Sequence, residues 1–572
     1  MMTQRLKLTF IRIAVLAIAV TIAVACRSVV APLPLSQPEP QGRSQPASPS
    51  LKSPGPVDFR VIPANIPMTD GAKLAADIYL PQSGGPFPAI LVQTPYDKGK
   101  MNPGLIEAMK GGKDSFGFFK STNYAVVVVD WRGKFASRDN PPGKPVVQGG
   151  LDGYDCVEWV AKQPWCNGKV GTWGSSALGS VQFKTAARKP PHLAAIAPRV
   201  AEYDKRYERY YTGGVERKEY IDALTLIGWA ATGQGVRRHT LNDGFYDTAS
   251  IVNPRDILTP MLLVGGWYDI HDLPRVFNEF MSRGNVAAKK DFRLLIGPFT
   301  HEGVAEDKPQ GQMTYPGTGI FTREEQRKFF DWWLLGDETS ARSAPRVTYY
   351  QMGRNEWRFS ETWPPPSVKK VEWYVQPSGG LGQPMSGDSK PDTFKSDPHN
   401  PVPTVGGNNL NRWTLITGPA DQRQKVETHP DVLIYTTAVL TEDLSVTGEI
   451  EARLFVSTDS EDTDIAIRIT DVYPDGRSML VGDSIQRLRL PSPYRVERSI
   501  VPGQVYEVAV RTPATAHTFL KGHQLRLVVS GSNYPRYALN GNSRSGPPKV
   551  ATNLLYHDRE HLSSVILPII PG

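Results

Sequence analysis

Cysteine is nearly absent from this chain of 572 residues: three occur, Cys26, Cys156 and Cys166. That is too few for a disulfide scaffold or a cysteine-rich zinc module. Acidic residues are missing from the first 25 positions, which carry Arg5, Lys7 and Arg12. These three account for part of the formal charge of +8, leaving +5 on the remainder with no basic block. Such a balance argues against nucleic acid as a partner. With 40% hydrophobic, 9% aromatic and 21% charged residues, the chain is neither disordered nor a coiled coil, and its 51 Gly and 50 Pro show no collagen period.

The leader has little apolar length. Ile13–Ala25, broken only by Thr21, covers roughly 20 Å at about 1.5 Å per residue, short of a bilayer core roughly 30 Å thick. A basic start, this run and Ala23-Val24-Ala25 read as an export signal over residues 1–25, with an A-x-A-like cleavage site. Cys26 directly after that site raises the reading of a lipoprotein acylated at Cys26 and tethered to a membrane, although Ala23 stands where a larger aliphatic residue is usual. The product is expected outside the cytoplasm, periplasmic or secreted. Residues 26–56, rich in Pro and Ser, cannot bury a core and read as a linker.

From residue 57 the pattern alternates short apolar runs with helix-length segments. Ala89–Val92 and Tyr124–Val129 suit strands buried on both faces, and Val170–Trp173, Leu193–Ala197, Met261–Val264 and Phe292–Ile296 follow. This predicts an α/β domain over 57–340 with a mostly parallel sheet. Residues 201–255 interrupt the rhythm with Tyr, Arg, Glu and Trp and are expected to form a mostly helical cap. Thr322-Arg323-Glu324-Glu325 reads as a capping box that starts a helix ending before Gly336. Residues 341–572 turn to period two, with short strands such as Ile465–Ile469 and Leu525–Val529, which predicts an all-β jelly roll.

The strongest chemical signal is the sequence from Gly168 to Gly179. A strand runs into Gly174-Ser175-Ser176-Ala177-Leu178-Gly179, and helix-length sequence follows. A serine on a sharp strand-to-helix turn needs small neighbours, and Gly174 and Gly179 frame Ser176. Read alone, Gly-x-Ser-x-x-Gly is a Gly/Ser-rich turn; its place between strand and helix makes Ser176 the candidate nucleophile. A serine needs a base oriented by an acid, and in α/β hydrolases the chain order is Ser, Asp or Glu, His. Met261–Val264 leads to Asp269 and Phe292–Ile296 leads to His301, while His271 and Asp272 compete nearby. Loops after parallel strands share one sheet edge, so Asp269 and His301 can converge on Ser176.

These motifs resemble the family of cocaine esterase and X-Pro dipeptidyl-peptidase, an α/β hydrolase with a C-terminal jelly roll. The resemblance runs through Thr94-Pro95-Tyr96-Asp97-Lys98, Asp130-Trp131-Arg132-Gly133 with Ser137, Gln163-Pro164-Trp165, Gly266-Trp267-Tyr268-Asp269 and Gly297-Pro298-Phe299-Thr300-His301. In the second half it includes Asp471-Val472-Tyr473-Pro474-Asp475-Gly476 and Gly522-His523-Gln524. It implies Ser176 as nucleophile, His301 as base, Asp269 as orienter, and the Tyr96 hydroxyl and Ala177 N–H as oxyanion donors. Two departures bear on substrate. Ala177 stands where relatives often carry Tyr, and Lys98 stands where α-amino-acid ester hydrolases place an acid for the substrate ammonium.

The expected activity is hydrolysis of a small-molecule carboxylic ester, or of an amide, through an acyl-enzyme, needing no metal or organic cofactor. A dipeptidyl-peptidase acting on short X-Pro peptides is the alternative, and a non-catalytic glycan-binding surface protein is the alternative of another class. Trp173, Trp267 and Tyr268 lie beside the motifs and are candidates for a substrate pocket. Cys156 sits near the start of a helix and Cys166 just after its end, farther apart than the roughly 7 Å reach of a disulfide, and both are expected as free thiols. The acidic run Asp459–Asp464 lacks EF-hand spacing and is expected as a solvated loop. His517 and His523 are expected to be structural.

Overall fold

A computed structural model of the protein describes residues 59–82, 84–99, 124–138, 149–247, 252–339, 345–384 and 389–571. The leader, Cys26 and the linker expected over 26–56 lie outside the described residues. Among the described residues, no helix is long and apolar enough to cross a membrane.

The first half is built on β1 (Phe59–Pro67), β2 (Lys73–Pro81), β3 (Phe87–Thr94), β4 (Ala125–Asp130), β5 (Cys166–Ser175) and β6 (Leu193–Arg199). A two-residue hairpin, β7 (Tyr211–Thr212) and β8 (Val215–Glu216), precedes β9 (Met261–Tyr268) and β10 (Phe292–Thr300). With β11 (Val347–Gln351) and β12 (Glu356–Ser360) the sheet order is β1-β2-β4-β3-β5-β6-β9-β10-β11-β12. The central strands pair in parallel, and β1, β2 and β12 are antiparallel margins. Every residue of β3 and β4 is buried, because helices cover both faces of a parallel sheet. Cys156, Val157, Val160 and Phe183, from α1 (Gly149–Ala161) and α2 (Ala177–Ala186), pack on one face. Phe329, Phe330 and Leu334 pack on the other.

Two boundaries differ from the sequence reading. The sheet does not stop at residue 340, since β11 and β12 lie beyond it, β11 parallel to β10 and β12 antiparallel at the edge. The helix expected to begin at Thr322 begins a turn earlier, over Thr318–Phe330. Asp307, remote in sequence, caps it by accepting the N–H groups of Gly319 and Ile320 at 2.9 Å each, and Thr322 lies inside. Its far end ends as expected on Gly336, with φ 79°.

The cap holds α3 (Lys218–Leu226), α4 (Ala230–Arg237) and α5 (Gly244–Asp247) with the hairpin. Its own small core gathers Tyr207, Tyr210, Tyr211, Tyr220, Ile221 and Tyr246. From Lys369 to Ile570 the described residues form 13 strands, nearly all antiparallel, around Leu454, Ile467, Leu527 and their neighbours, in jelly-roll fashion. Both halves share one compact unit, Pro54–Gly572. Cys156 is buried and Cys166 half-buried, both free.

The acidic run is solvated only in part, at Asp459 and Glu461. Asp462 and Asp464 are buried and paired with Arg487, with Arg489 also bonded to Asp462, because two carboxylates this deep need cationic partners. His517 and His523 both bond one buried carboxylate, Asp471, at 3.0 and 2.8 Å.

Candidate active site

β5 ends at Ser175, and α2 begins at Ala177, leaving Ser176 at the bend with φ 58° and ψ −119°. That is a strained conformation for a side-chain-bearing residue. The crowding around it explains the two glycines. A Cβ on Gly174, whose φ is +146°, would lie 2.5 Å from Leu178 Cβ, and one on Gly179 would lie 2.5 Å from Ala201 Cβ. The bend is anchored by the Ser176 N–H, which donates to the Arg199 carbonyl at 2.9 Å. Ala177 is the first helical residue, so its N–H has no acceptor within the helix and sits at the positive end of the dipole.

Asp269 follows β9 and His301 follows β10, neighbours in the sheet. His301 Nδ1 lies 2.7 Å from Asp269 Oδ1, which also accepts the Ile270 N–H at 2.7 Å. Asp269 is 2% exposed and His301 9%. Nε2 of His301 is thereby the nitrogen left for a hydroxyl. The His301 loop is pinned by Gln310, whose Oε1 accepts from the Thr300 N–H and hydroxyl at 2.9 Å each. Arg199 also donates to the Val304 carbonyl at 2.8 Å.

Tyr96 stands beyond β3. Its N–H donates to Thr94 Oγ1 at 3.0 Å, and the following Lys98 N–H donates to Asp130 Oδ1 at 2.7 Å, so the Asp130 motif fixes the tyrosine loop. Lys98 Nζ is spent on Asp77 at 2.8 Å. The Tyr96 hydroxyl faces Ser176 and the Trp229 side chain; burial pushes its pKa up against the opposing pull of both. Trp229 comes from the cap and packs edge-on to Trp131, ring centres 6.2 Å apart.

The three aromatic residues expected in a pocket are elsewhere. Trp173 is buried under the elbow, its Nε1 donating to Gln326 at 3.1 Å and the Arg199 guanidinium over its ring. Trp267 packs on Trp363 and donates to the Tyr350 carbonyl at 2.8 Å. The Tyr268 hydroxyl donates to Leu480 of the second half at 3.0 Å. All three lie on strands inside the sheet, where alternation sends their rings into the core rather than over its edge.

Sequence reasoning missed the partners that come from afar. Asn408, in the second half, donates its amide to the carbonyls of Asp269 at 2.7 Å and Trp267 at 3.2 Å. Arg217 of the cap donates to Ile270 and Asn408 carbonyls at 3.1 and 3.2 Å. His271, the competitor of His301, stacks obliquely with its ring centre 5.5 Å from that of His301. It faces Glu202 rather than Asp269, and burial, with Arg209 nearby, lowers its pKa, so it is neutral at pH 7. Arg275 bonds Glu202 and Asp204 at 2.9 and 3.2 Å and Glu279 at 2.8 Å. Asp272 caps the helix at Leu273–Arg283, accepting the Arg275 N–H. No cluster of metal-ligating side chains occurs among the described residues.

Comparison with known proteins places the chain. Residues 70–237 match the family described as X-Pro dipeptidyl-peptidase (S15 family), and residues 339–566 match the X-Pro dipeptidyl-peptidase C-terminal non-catalytic domain. The first match spans Ser176 and stops before Asp269. Cocaine esterase of Rhodococcus sp. (strain MB1 Bresler) is 33% identical over 88% of this chain and 97% of its own. The crystal structure of an aminopeptidase from a Thaumarchaeota archaeon of marine sediment aligns with TM-score 0.76 and 25% identity over 92% of this chain and 99% of its own. An α-amino-acid ester hydrolase aligns with TM-score 0.75 and 23% identity, over 93% of this chain and 100% of that one, a likeness of fold.

Proposed function

Because this chain belongs to the family of cocaine esterase and X-Pro dipeptidyl-peptidase and is a hydrolase, we propose that it is a serine esterase working through Ser176, His301 and Asp269. The observation that carries the reading is the 2.7 Å bond between His301 and Asp269, on loops leaving the same sheet edge as the strained Ser176 bend. His301 Nε2 takes the proton of Ser176 as Oγ attacks the ester carbonyl, and the resulting imidazolium is stabilised by Asp269. The Tyr96 hydroxyl and the Ala177 N–H receive the oxyanion. The alcohol leaves with the proton from His301; water, activated by the same imidazole, then frees the acid and restores Ser176.

Esters are favoured over X-Pro peptides by the charge around the site. A dipeptidyl-peptidase must hold the substrate ammonium with free carboxylates. Here two of the carboxylates near the site, Glu202 and Asp204, are taken by Arg275, and Lys98, bound to Asp77, stands where α-amino-acid ester hydrolases place an acid. A protein that only bound glycan would have no use for the strain at Ser176. The leader supports export, with Cys26 as the point at which a lipid would tether the enzyme.

The test is hydrolysis of p-nitrophenyl butyrate beside alanyl-prolyl-p-nitroanilide, with Ser176→Ala as control. Ester turnover that vanishes in the variant, without anilide release, is expected. Anilide release lost in the same variant would make the protein a dipeptidyl-peptidase. Failure of both substrates would remove the esterase reading.

A further inference from the structure

A second array of serine, histidine and aspartate lies in the second half, on elements that the Ser176 site does not use. The strand Asp392–Ser396 stands at one edge of the sheet there and pairs antiparallel with the strand Ala551–Tyr556, Asp392 opposite Leu555. His557 follows the latter strand directly, and Ser389 precedes the former by three residues, so the pairing brings all three side chains together. Ser389 Oγ lies 2.6 Å from His557 Nδ1, and His557 Nε2 lies 3.1 Å from Asp392 Oδ2. The Tyr435 hydroxyl donates to the same carboxylate oxygen at 2.8 Å.

These contacts fix where the protons are. An ionised carboxylate only accepts, so Asp392 takes the Nε2–H of His557 and leaves Nδ1 with its lone pair. The serine hydroxyl has one proton, and Nδ1 at 2.6 Å is its nearer acceptor; the His557 carbonyl is 3.2 Å from the same oxygen. Burial, with Asp392 close by, pushes the Tyr435 phenol up, so it stays a neutral donor holding the carboxylate. The imidazole is turned the opposite way from His301, whose Nδ1 faces its acid. The roles are nevertheless those of a nucleophile, a base and an orienter. His557 is 6% exposed, whereas Ser389 is half-buried and keeps part of its surface open to solvent. A serine that merely pinned the chain would be served by the carbonyl alone.

We propose that Ser389 is a second nucleophile, taking the acyl group of activated esters such as aryl esters, with His557 as its base and Asp392 as the orienter. The inference does not rest on the Ser176 reading. The Oγ–acyl bond forms as the C–O bond to the aryl oxygen breaks. The Ser389 proton passes to His557 Nδ1 and from there to the departing oxygen, giving O-acyl-Ser389 and the phenol. Ser389 leads into an edge strand and not into a helix, so the oxyanion lacks a donor such as the Ala177 N–H. Each missing donor costs about 10²–10³ in rate. A phenol leaves readily and a serine alkoxide does not, so the deficit falls on hydrolysis of the acyl-serine. The site is therefore acylated once per chain and does not turn over.

The test treats the full chain carrying Ser176→Ala with a fluorophosphonate and, separately, with p-nitrophenyl acetate, and maps the modified residue by peptide mass spectrometry. Modification of Ser389 is expected from each reagent, with a single burst of p-nitrophenol from the ester. His557→Gln should slow the labelling about 10²–10⁴-fold, the usual worth of a general base. Asp392→Asn, at a side chain 34% exposed, should slow it less. The wild type should carry the label on Ser389 as well, a measurement that needs no variant to fold. Ser389 left unlabelled, labelling spread evenly over other exposed serines, or a rate unchanged in folded His557→Gln overturns the inference. Labelling of Ser176 alone in the wild type overturns it too, and leaves the esterase reading standing.

Discussion

Replacing Tyr96 with Phe removes one oxygen from the candidate site and little else. The tyrosine loop is held by main-chain bonds that do not use the hydroxyl, from Tyr96 N–H to Thr94 and from Lys98 N–H to Asp130. The ring therefore keeps its place. What disappears is a phenolic O–H that sits beside Ser176 and the Trp229 side chain. Burial holds the phenol above its ordinary pKa of about 10, so it is a neutral donor throughout the range in which esters are assayed. Loss of one oxyanion donor costs about 2.7–4 kcal/mol of transition-state stabilisation, or 10²–10³ in kcat. The effect should fall on kcat and spare KM, because the donor serves charge that exists only in the transition state. Steady-state hydrolysis of p-nitrophenyl butyrate at pH 7.5 measures both. A kcat within about fivefold of wild type would refute the assignment and leave the oxyanion to main-chain donors alone.

Two further outcomes follow from contacts made by the second half. Asn408→Ala leaves the carbonyls of Asp269 and Trp267 without their donor; at about 1–3 kcal/mol for a stranded buried acceptor, kcat/KM should fall roughly tenfold, and an undiminished rate would show that the hydrolase half alone holds the acid loop. Asp471 is subject to the upward push of burial, but the bonds from His517 and His523 outweigh it and keep its carboxyl below the ordinary value. A depressed carboxyl stabilises the fold above its unfolded pKa of about 3.9 and loses that contribution as pH falls through the folded value. Asp471→Asn should therefore lower the urea midpoint at pH 7, on the order of 3 kcal/mol for a buried charge with two partners, with the gap to wild type closing as the pH drops below about 4. A gap independent of pH would show that packing, not the charge, is at work.

The fold was readable because its signals are local. Two-sided burial makes β3 and β4 continuous apolar runs, and the switch to period two marks the jelly roll. Gly174 and Gly179 expose the bend at Ser176, since only glycine tolerates the contacts at 2.5 Å found there. Helix starts were less legible. Thr322 offered a capping box, yet Asp307, eleven residues ahead of the helix, caps it first, and a loop folding back leaves no periodic trace.

Why the aromatic residues misled is a matter of which way a strand points its side chains. Trp173, Trp267 and Tyr268 adjoin Ser176 and Asp269 in sequence, but adjacency along a strand puts alternate residues on opposite faces, and these rings fill the layers beneath. The ring that does reach the Tyr96 hydroxyl belongs to Trp229, more than 50 residues past Ser176 in the cap. The same logic governs charge. Sequence shows Glu202, Asp204, Arg209 and Arg275 as a mixture of signs that cancels on paper. In the fold, Arg275 pairs with both acids, while Arg209 donates to the Tyr220 hydroxyl and the Asp204 carbonyl. Which arginine pairs with these acids depends on distances of 2.9 and 3.2 Å between the cap segment and the helix after β9. A loop that folds over a sheet edge thus settles its ion pairs by a geometry that leaves no mark in the sequence, while the candidate strand-end positions stay fixed by the sheet.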